Sequence, residues 1–189
     1  MWILASASPR RKELLAEILP KFEIIPSLAD ESVTDNPTPK EFVEILAERK
    51  AREVASRPEN EGKFVIGSDT VVAYGNEILG KPKDEADAFR MLKMLSGKKH
   101  EVYTGVCICV FEDGQARYMV QADKTDVYFN ELSSEYIWAY VRGGSPMDKA
   151  GAYGIQDGGL VAKIEGSYSN VVGLPIELCE KMIKNFKQQ

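Results

Sequence analysis

The amino-acid sequence predicts an α/β fold in which a mixed β-sheet is flanked by helices. Short apolar strand patterns alternate with helical patterns along the chain, which is typical of α/β proteins. Two long strand patterns also flank Asp113-Gly114, and Asp-Gly between strands is a strong signal for a β-hairpin. With 44% apolar and 28% charged residues, the 189 residues are typical of one domain, and we expect a single domain over 1–189.

The first elements are a strand, a helix and a second strand. Ile3–Ala5 is a short apolar strand, and Ser8 then provides a helix N-cap before Pro9 at the first helical position. A second strand is predicted at Phe22–Ile25. The polar stretch Pro26–Pro39 that follows it is predicted to be a loop.

The middle of the chain is predicted to form two helices and a buried strand. The residues from Thr38 to Glu41 form a capping box with proline at the first helical position, which predicts the start of a second helix. The apolar run Phe64–Val72 predicts a buried strand. Asp84 caps a third helix, which ends before Gly97.

The remaining part of the chain predicts the hairpin, a short helix capped by Ser133 or Ser134, a glycine-rich loop, a strand and a terminal helix. Their predicted bounds are Val102–Phe111 and Ala116–Phe129 for the hairpin, a helix end at Tyr140, Gly143–Gly159 for the loop, Leu160–Ile164 for the strand and Pro175–Phe186 for the helix.

Charge and composition argue against several classes of function. The chain has 24 Lys and Arg against 29 Asp and Glu, so no overall positive field attracts nucleic acid or an anionic membrane. Three cysteines and one histidine, without a Cys-x-x-Cys pair, do not provide a zinc site of standard spacing. The amino terminus lacks the pattern of a signal peptide, so we expect a cytoplasmic protein. From the net charge we expect that it binds neither nucleic acid nor a membrane.

Two arginines, Arg10 and Arg11, stand in the first turn of the first predicted helix. The partial positive charge of a helix N-terminus favours acidic residues there, so two arginines are unfavourable unless an anion lies among them. Together with the N–H groups of the helix and the hydroxyls of Ser6 and Ser8, they form a candidate phosphate site. The alternative is that both arginines point into solvent or pair with acidic residues of the same helix.

Asp69 is the only charged residue between Phe64 and Tyr74. Burying a lone carboxylate in such a segment is costly unless a metal ion or another partner compensates its charge. The ends of strands are also where open α/β sheets bind their ligands. Asp69 is therefore a candidate catalytic residue, and a local turn capped by its carboxylate is the alternative.

Further polar residues add candidate ligands for a phosphorylated substrate and its metal ion. Asp30 and Glu31 offer carboxylate oxygens in the long loop, and such ligands suit Mg²⁺ or Mn²⁺. Lys81 lies on a stiff Gly-Lys-Pro turn, whereas Lys50 is either a site cation or a solvent-facing residue of the second helix. Gln156, within the glycine-rich loop, has an amide that can both donate to and accept from the edge of a base.

Five motifs resemble, in order and over nearly the whole chain, the successive motifs of Maf proteins. They are Ser6-Ala7-Ser8-Pro9-Arg10-Arg11, Gly67-Ser68-Asp69-Thr70-Val71-Val72, Leu79-Gly80-Lys81-Pro82, Asp148-Lys149-Ala150-Gly151-Ala152-Tyr153-Gly154-Ile155-Gln156 and Val172-Gly173-Leu174-Pro175. The resemblance implies a two-lobed α/β fold related to inosine triphosphate pyrophosphatases, with a central cleft. It also implies a homodimer.

Within that family, the segment that ends at Gln156 resembles the branch acting on dTTP and UTP rather than the branch acting on 7-methyl-GTP. The resemblance implies that Asp69 is the general base. It assigns substrate specificity to Arg10, Thr70 and Gln156, and it places charged cleft residues at Glu31, Lys50 and Lys81. The sequence departs from the family after Gln156, where members continue with glycine and a longer loop and this chain continues with Asp157-Gly158-Gly159. The departure concerns base selectivity and not the chemistry at the phosphates.

Residues and resemblance together predict a pyrophosphatase that converts dTTP and UTP to the monophosphate and pyrophosphate, with modified pyrimidine nucleotides also open as targets. The predicted phosphate contacts are Ser6, Ser8, Arg10, Arg11, Lys50 and Lys81. The candidate metal ligands, for Mg²⁺ or Mn²⁺, are Glu31 and Asp69. A carboxylate bound directly to a metal ion is a poorer base, so it stays open which of the two holds the ion and which is the base. Two alternatives stay open. One is a pyrophosphatase for 7-methyl-GTP or non-canonical purine triphosphates, and the other is a nucleotide-binding regulator of cell division and septum formation.

Overall fold

The structure, a computed structural model, describes residues 1–144 and 146–188 and confirms an α/β fold with a mixed sheet flanked by helices. The strands are β1 Trp2–Leu4, β2 Glu23–Ile24, β3 Phe64–Tyr74, β4 Glu77–Leu79, β5 Lys99–Glu112, β6 Gln115–Phe129 and β7 Val161–Glu165. The α-helices are α1 Pro9–Ile18, α2 Pro39–Ala55, α3 Glu85–Leu95, α4 Ser134–Arg142, α5 Tyr168–Val172 and α6 Ile176–Phe186.

The seven strands form one sheet in the order β2-β1-β3-β5-β6-β7, and β4 pairs with β3 outside this path. Strand β1 is parallel to both β2 and β3, whereas the pairs β3–β4 and β6–β7 are antiparallel, so the sheet is mixed as predicted. The predicted hairpin joins β5 and β6 through Asp113 and Gly114. Both residues have positive φ, 51° and 75°, as the central positions of a type I′ turn require.

The local signals for helix starts have the expected geometry. Ser8 is the N-cap of α1, and its hydroxyl accepts a hydrogen bond from the Arg11 amide at 3.4 Å. At the start of α2, the Thr38 hydroxyl accepts from the Glu41 amide at 3.3 Å, while the Glu41 carboxylate accepts from the Thr38 amide at 2.9 Å. The capping box predicted from the sequence is therefore confirmed.

The chain divides into two compact units. Unit 1 comprises Met1–Asp69, Thr104–Asp123 and Gly173–Gln189, and unit 2 comprises Thr70–Tyr103 and Lys124–Val172. Each unit has buried apolar residues of its own. Those of unit 1 include Leu4, Leu15, Ile66, Ile108, Leu174 and Phe186, and those of unit 2 include Leu79, Leu92, Leu95, Val127, Ile137 and Leu160.

Helix α2 lies in backbone contact with the sheet of unit 1. A Cβ atom at Gly67 in β3 would lie 2.3 Å from the carbonyl oxygen of Ala47, and one at Gly105 in β5 would lie 2.3 Å from the carbonyl oxygen of Val43. Real Cβ atoms do not approach backbone oxygens so closely, so both positions require glycine as long as α2 keeps this place. The two glycines therefore set the distance between α2 and the strands beneath it.

Three features of the structure were missed in the sequence. Strand β4 is only three residues long and is stabilised by its pairing with β3, and α5 spans only five residues, so neither has a periodic pattern of its own. The predicted glycine-rich loop contains short 3₁₀ helices at Pro146–Asp148, Ala150–Ala152 and Ile155–Asp157. Within residues 1–144 and 146–188, no helix is both long enough and apolar enough to cross a membrane.

Candidate active site

The start of α1 positions Arg11 toward the interior of unit 1. The Arg11 Nε donates a hydrogen bond to the Gly173 carbonyl oxygen at 2.9 Å, and its Nη1 donates to the Ser6 hydroxyl at 3.3 Å. The Ser68 hydroxyl donates to the same Gly173 oxygen at 3.2 Å. Arg11 therefore does not point away into solvent, because its guanidinium is oriented by contacts with two distant segments of the chain.

The charges around Arg11 include three of the predicted site residues. Burial lowers the pKa of the Arg11 guanidinium from its ordinary value, and the negative charge of Asp69 opposes this effect. Arg10 lowers the same pKa further and Glu31 raises it. Because an arginine side chain keeps its proton in proteins, Arg11 remains a cation close to two carboxylates and a second guanidinium.

Asp69 lies within β3, with its side chain only 12% exposed, and it does not form the local turn that was the alternative. Its Oδ1 accepts a hydrogen bond from the Lys50 ammonium group at 2.6 Å. Lys50 projects from α2, and its side chain is also 12% exposed. The buried carboxylate is therefore compensated by a buried cation, since an uncompensated charge at this place would be strongly destabilising.

Glu31 reaches the same cation from the long loop of unit 1. Its Oε1 lies 2.8 Å from the Lys50 Nζ, and its side chain is 63% exposed. One ammonium group thus bridges the two carboxylates that the sequence suggested as metal ligands. The structure places Lys50 on these carboxylates, and its predicted contact with phosphate stays a prediction.

The loop that carries Glu31 is fixed to α2 by Arg49. The Arg49 Nη1 donates to the Ser32 carbonyl oxygen at 2.6 Å and to the Asp30 carbonyl oxygen at 3.3 Å. The Asp30 carboxylate is occupied by Ser32, whose amide lies 2.9 Å from Asp30 Oδ1. Of the neighbouring acidic residues Asp30 and Glu31, it is therefore Glu31 that joins Lys50 and Asp69.

The donor set of Glu31 and Asp69 fits a divalent cation in number and kind. Two carboxylates converge on one positively charged atom, and Mg²⁺ is commonly bound by one or two carboxylates together with substrate phosphates and water. Among residues 1–144 and 146–188, no group of three or more His, Cys, Asp or Glu side chains could hold a metal ion. Two carboxylates alone do not enclose an ion, so a divalent cation held at this place would need phosphate oxygens or water as its further ligands.

The other predicted site residues, Thr70, Lys81 and Gln156, belong to unit 2. Thr70 follows Asp69 within β3, Lys81 is exposed beyond β4, and Gln156 is exposed in a 3₁₀ helix. The Gly151 amide donates to the Gly80 carbonyl oxygen at 3.0 Å, so the turn before Lys81 is bonded to the segment that leads to Gln156.

Sequence reasoning missed Ser68 and Gly173 as members of the site. Ser68 is fully buried and, like Arg11, donates to the Gly173 carbonyl oxygen. A polar residue next to Asp69 in an apolar strand was an available signal for Ser68. The contribution of Gly173 comes from its backbone oxygen, which no pattern of side chains reveals.

Comparison with known proteins identifies relatives over nearly the whole chain. A family model described as Maf-like protein matches residues 1–186. Three relatives are named dTTP/UTP pyrophosphatase. The protein from Thermococcus kodakarensis is 52% identical over 186 residues, covering 96% of this chain and 95% of its own length. The one from Geotalea uraniireducens is 51% identical over 94% and 90%, and the one from Geobacillus sp. is 47% identical over 96% of each chain.

A solved structure also has the same fold. The Staphylococcus aureus Ham1 protein aligns with a TM-score of 0.53 over 98% of each chain, with 15% sequence identity. At this identity the likeness concerns the fold alone.

Proposed function

The chain belongs to the Maf family, and on that premise we propose that it is a nucleotide pyrophosphatase that hydrolyses dTTP and UTP to the monophosphate and pyrophosphate. The observation that carries the proposal is the buried Asp69 carboxylate, held at 2.6 Å by Lys50 and flanked by Arg11. The names of relatives about 50% identical over nearly the full chain support the same substrates.

In the proposed reaction, Asp69 orients a water molecule and accepts its proton while the water oxygen attacks the α-phosphorus. The bond between that phosphorus and the bridging oxygen breaks, and pyrophosphate leaves with the electron pair. A positioned general base is worth about 10²–10⁴-fold in rate. The remaining acceleration comes from cations that stabilise the charge developing on the phosphoryl oxygens.

The proposed phosphate contacts follow from the start of α1. The hydroxyls and amides at this helix N-terminus, together with the arginines, provide donors and positive charge for anionic oxygens. Arg11 donates through its Nε and Nη1 to the Gly173 carbonyl oxygen and the Ser6 hydroxyl, and these contacts fix the position of its positive charge at the start of α1. The full set of proposed contacts is Ser6, Ser8, Arg10, Arg11, Lys50 and Lys81, and Arg10, Thr70 and Gln156 are proposed to select the nucleotide.

We propose that the reaction depends on Mg²⁺ or Mn²⁺, held by Glu31 or Asp69 together with phosphate oxygens. When bound, the ion neutralises negative charge on the phosphates. The part of this chain is to supply the two carboxylates and, through Lys50, to keep them from repelling each other before the substrate arrives. A cytoplasmic location, one domain over 1–189, a homodimer and the lack of nucleic-acid or membrane binding complete the proposal.

The proposal is tested with a panel of nucleotides in the presence of Mg²⁺ or Mn²⁺, resolving pyrophosphate from orthophosphate. We expect release of pyrophosphate from UTP and dTTP, and a preference for 7-methyl-GTP or ITP would contradict the substrate. Nucleotide binding without pyrophosphate release would favour a regulatory protein instead.

The catalytic residue is tested with Asp69→Asn, which keeps the size of the side chain and removes its charge. We expect kcat to fall by about 10²–10⁴-fold, as for loss of a general base. Asp113→Asn is the matched control, because Asp113 lies in the hairpin turn at positive φ, where asparagine is equally suitable. Turnover of Asp69→Asn at the parental rate would exclude Asp69 as the base.

A further inference from the structure

Gln156 lies in a 3₁₀ helix, Ile155–Asp157, and Tyr140 of α4 forms hydrogen bonds near both its start and its end. The amide of Gly154 donates a hydrogen bond to the Tyr140 hydroxyl at 3.1 Å. The same hydroxyl donates to the Asp157 carboxylate. A phenol has one hydrogen to donate, and through its two hydrogen bonds this hydroxyl joins Gly154, which precedes the 3₁₀ helix, to Asp157, its last residue.

The contacts of Gly154 and Asp157 make this segment compact. The Asp157 amide donates to the Gly154 carbonyl oxygen at 3.1 Å, which closes the turn around Gln156. A Cβ atom at Gly154 would lie 2.9 Å from Asp157 Oδ2 and 2.9 Å from the Lys149 side chain. The carboxylate therefore lies directly over the glycine, in a position that a larger residue would disturb.

A second tyrosine of α4 holds the residues that follow. The Tyr136 hydroxyl donates to the Gly158 carbonyl oxygen at 3.4 Å, and a Cβ atom at Gly159 would lie 2.4 Å from the same hydroxyl. Tyr136 and Tyr140 are four residues apart and therefore lie on one face of the helix. Helix α4 itself is fixed in the core of unit 2 by Ile137, which is fully buried.

The proposed contact between Gln156 and the base requires that the segment around Gln156 is held in place. Uracil and thymine present a carbonyl acceptor and an N–H donor side by side, and the Gln156 amide offers the complementary pair. Cytosine presents an amino donor and a ring-nitrogen acceptor in the reverse order, and an amide turned by 180° would fit it equally well. The contacts of the segment fix the position from which the amide reaches the base, whereas an exposed side chain on a loop with several glycines would otherwise shift until the amide found a partner on either base.

We infer that Tyr140, through its hydrogen bonds to Gly154 and Asp157, is a positioning residue that fixes Gln156 and thereby sets the selectivity for uracil and thymine over cytosine. The inference rests on the proposed function, because it takes the role of Gln156 from there. In this chain the end of the segment is thus held through a carboxylate and a phenol.

The test is Tyr140→Phe, which removes only the hydroxyl. We expect the ratio of kcat/KM for UTP to that for CTP to fall about tenfold, the size that corresponds to one hydrogen bond to a charged group. The loss should come mainly from a higher KM for UTP, while kcat stays within about twofold, because the residues proposed for the chemical step are unchanged.

Tyr128→Phe is the matched control, since the Tyr128 hydroxyl also donates to a carboxylate, that of Glu165 at 3.2 Å, on β6. It should leave the UTP to CTP ratio unchanged. Asp157→Asn keeps an oxygen that can accept from Tyr140 and should retain more of the selectivity than Asp157→Ala. Adding Tyr140→Phe to Asp157→Ala should then cost less than it does in the parent.

The outcomes separate this inference from the proposed function. If Gln156→Ala leaves the UTP to CTP ratio unchanged, the proposed role of Gln156 is wrong and the inference falls with it. If Gln156→Ala abolishes the discrimination but Tyr140→Phe keeps it, the inference alone is overturned. An equal loss in Tyr140→Phe and Tyr128→Phe would also overturn it, because it would show a general effect of removing a tyrosine hydroxyl.

Discussion

The single histidine of the chain predicts a pH dependence of stability that can be measured without interference from other imidazoles. His100 is 1% exposed, and its Nε2 lies 2.8 Å from the Tyr153 hydroxyl. The edges and faces of the Phe129 and Tyr153 rings surround it. Its Nδ1 is buried and has no hydrogen-bond partner within residues 1–144 and 146–188. Protonation would add a buried N–H and a buried charge, and burial accordingly lowers the pKa of His100 from 6.5 to about 4.

The sign and size of the effect follow from linkage. Between pH 6.5 and about 4 the unfolded chain binds a proton at His100 that the folded chain does not, so the free energy of unfolding falls as the pH falls. Above pH 6.5 the stabilisation is fully present. Since each unit of pKa difference corresponds to about 1.4 kcal/mol, His100 should account for a loss of about 3 kcal/mol by pH 4.

The assay compares urea unfolding of the parent and of His100→Gln at several pH values. The variant is expected to be less stable at neutral pH, because glutamine does not fill the space of the ring. The informative quantity is the difference between the two free energies of unfolding, which should shrink by about 3 kcal/mol from pH 7 to pH 4, while carboxylates common to both proteins cancel. Parallel curves, or an imidazole resonance of the folded protein that titrates near pH 6.5, would refute the reasoning.

Two further predictions concern packing and the cysteines. Gly67→Ala should lower the free energy of unfolding, measured in urea, by about 1–3 kcal/mol, because the added methyl group meets the carbonyl oxygen of Ala47. Gly80→Ala is the control, since no atom lies within 4 Å of its Cβ position, and it should change the free energy of unfolding by less than about 1 kcal/mol. Equal effects of the two substitutions would contradict the packing of α2 on the sheet. All three cysteines are buried and free, and burial raises the pKa of Cys109 to about 11 and that of Cys179 to about 12. A thiol reagent at pH 8 should therefore label the folded protein only as fast as the protein unfolds. Rapid labelling would contradict this prediction, because it would show that a thiol is accessible in the folded protein.

The fold could be predicted where a few neighbouring residues determine it. The Ser8 cap, the Thr38 capping box and the Asp113-Gly114 turn each depend on contacts within four residues, and all three have the predicted geometry. Strand β4 could not be predicted in the same way, because its three residues are held by β3 and not by a preference of their own. Short elements of this kind depend on tertiary contacts, which local sequence patterns do not contain.

The residues of the candidate site could likewise be predicted only where a local conflict in the sequence reveals them. Asp69 and the arginines stand out in the sequence because each conflicts with its local surroundings, a carboxylate in an apolar strand and cations at a helix N-terminus. The partner of Asp69 was not identified, since Lys50 is 19 residues away and looks like many other lysines on a helix. Its contact becomes evident only when α2 is placed on the sheet.

The close seating of α2 on the sheet has a consequence for any survey of tolerated substitutions. The ammonium group of Lys50 meets the carboxylate of Asp69 because Gly67 and Gly105 leave room for the backbone of α2. The ion pair therefore depends on the absence of side chains at these two positions. A map of inactivating substitutions should therefore extend to these two glycines and to Ala47, although none of the three has a group that could react with a nucleotide. Redesign of this site would have to treat the smallest residues of unit 1 as fixed together with its charged ones.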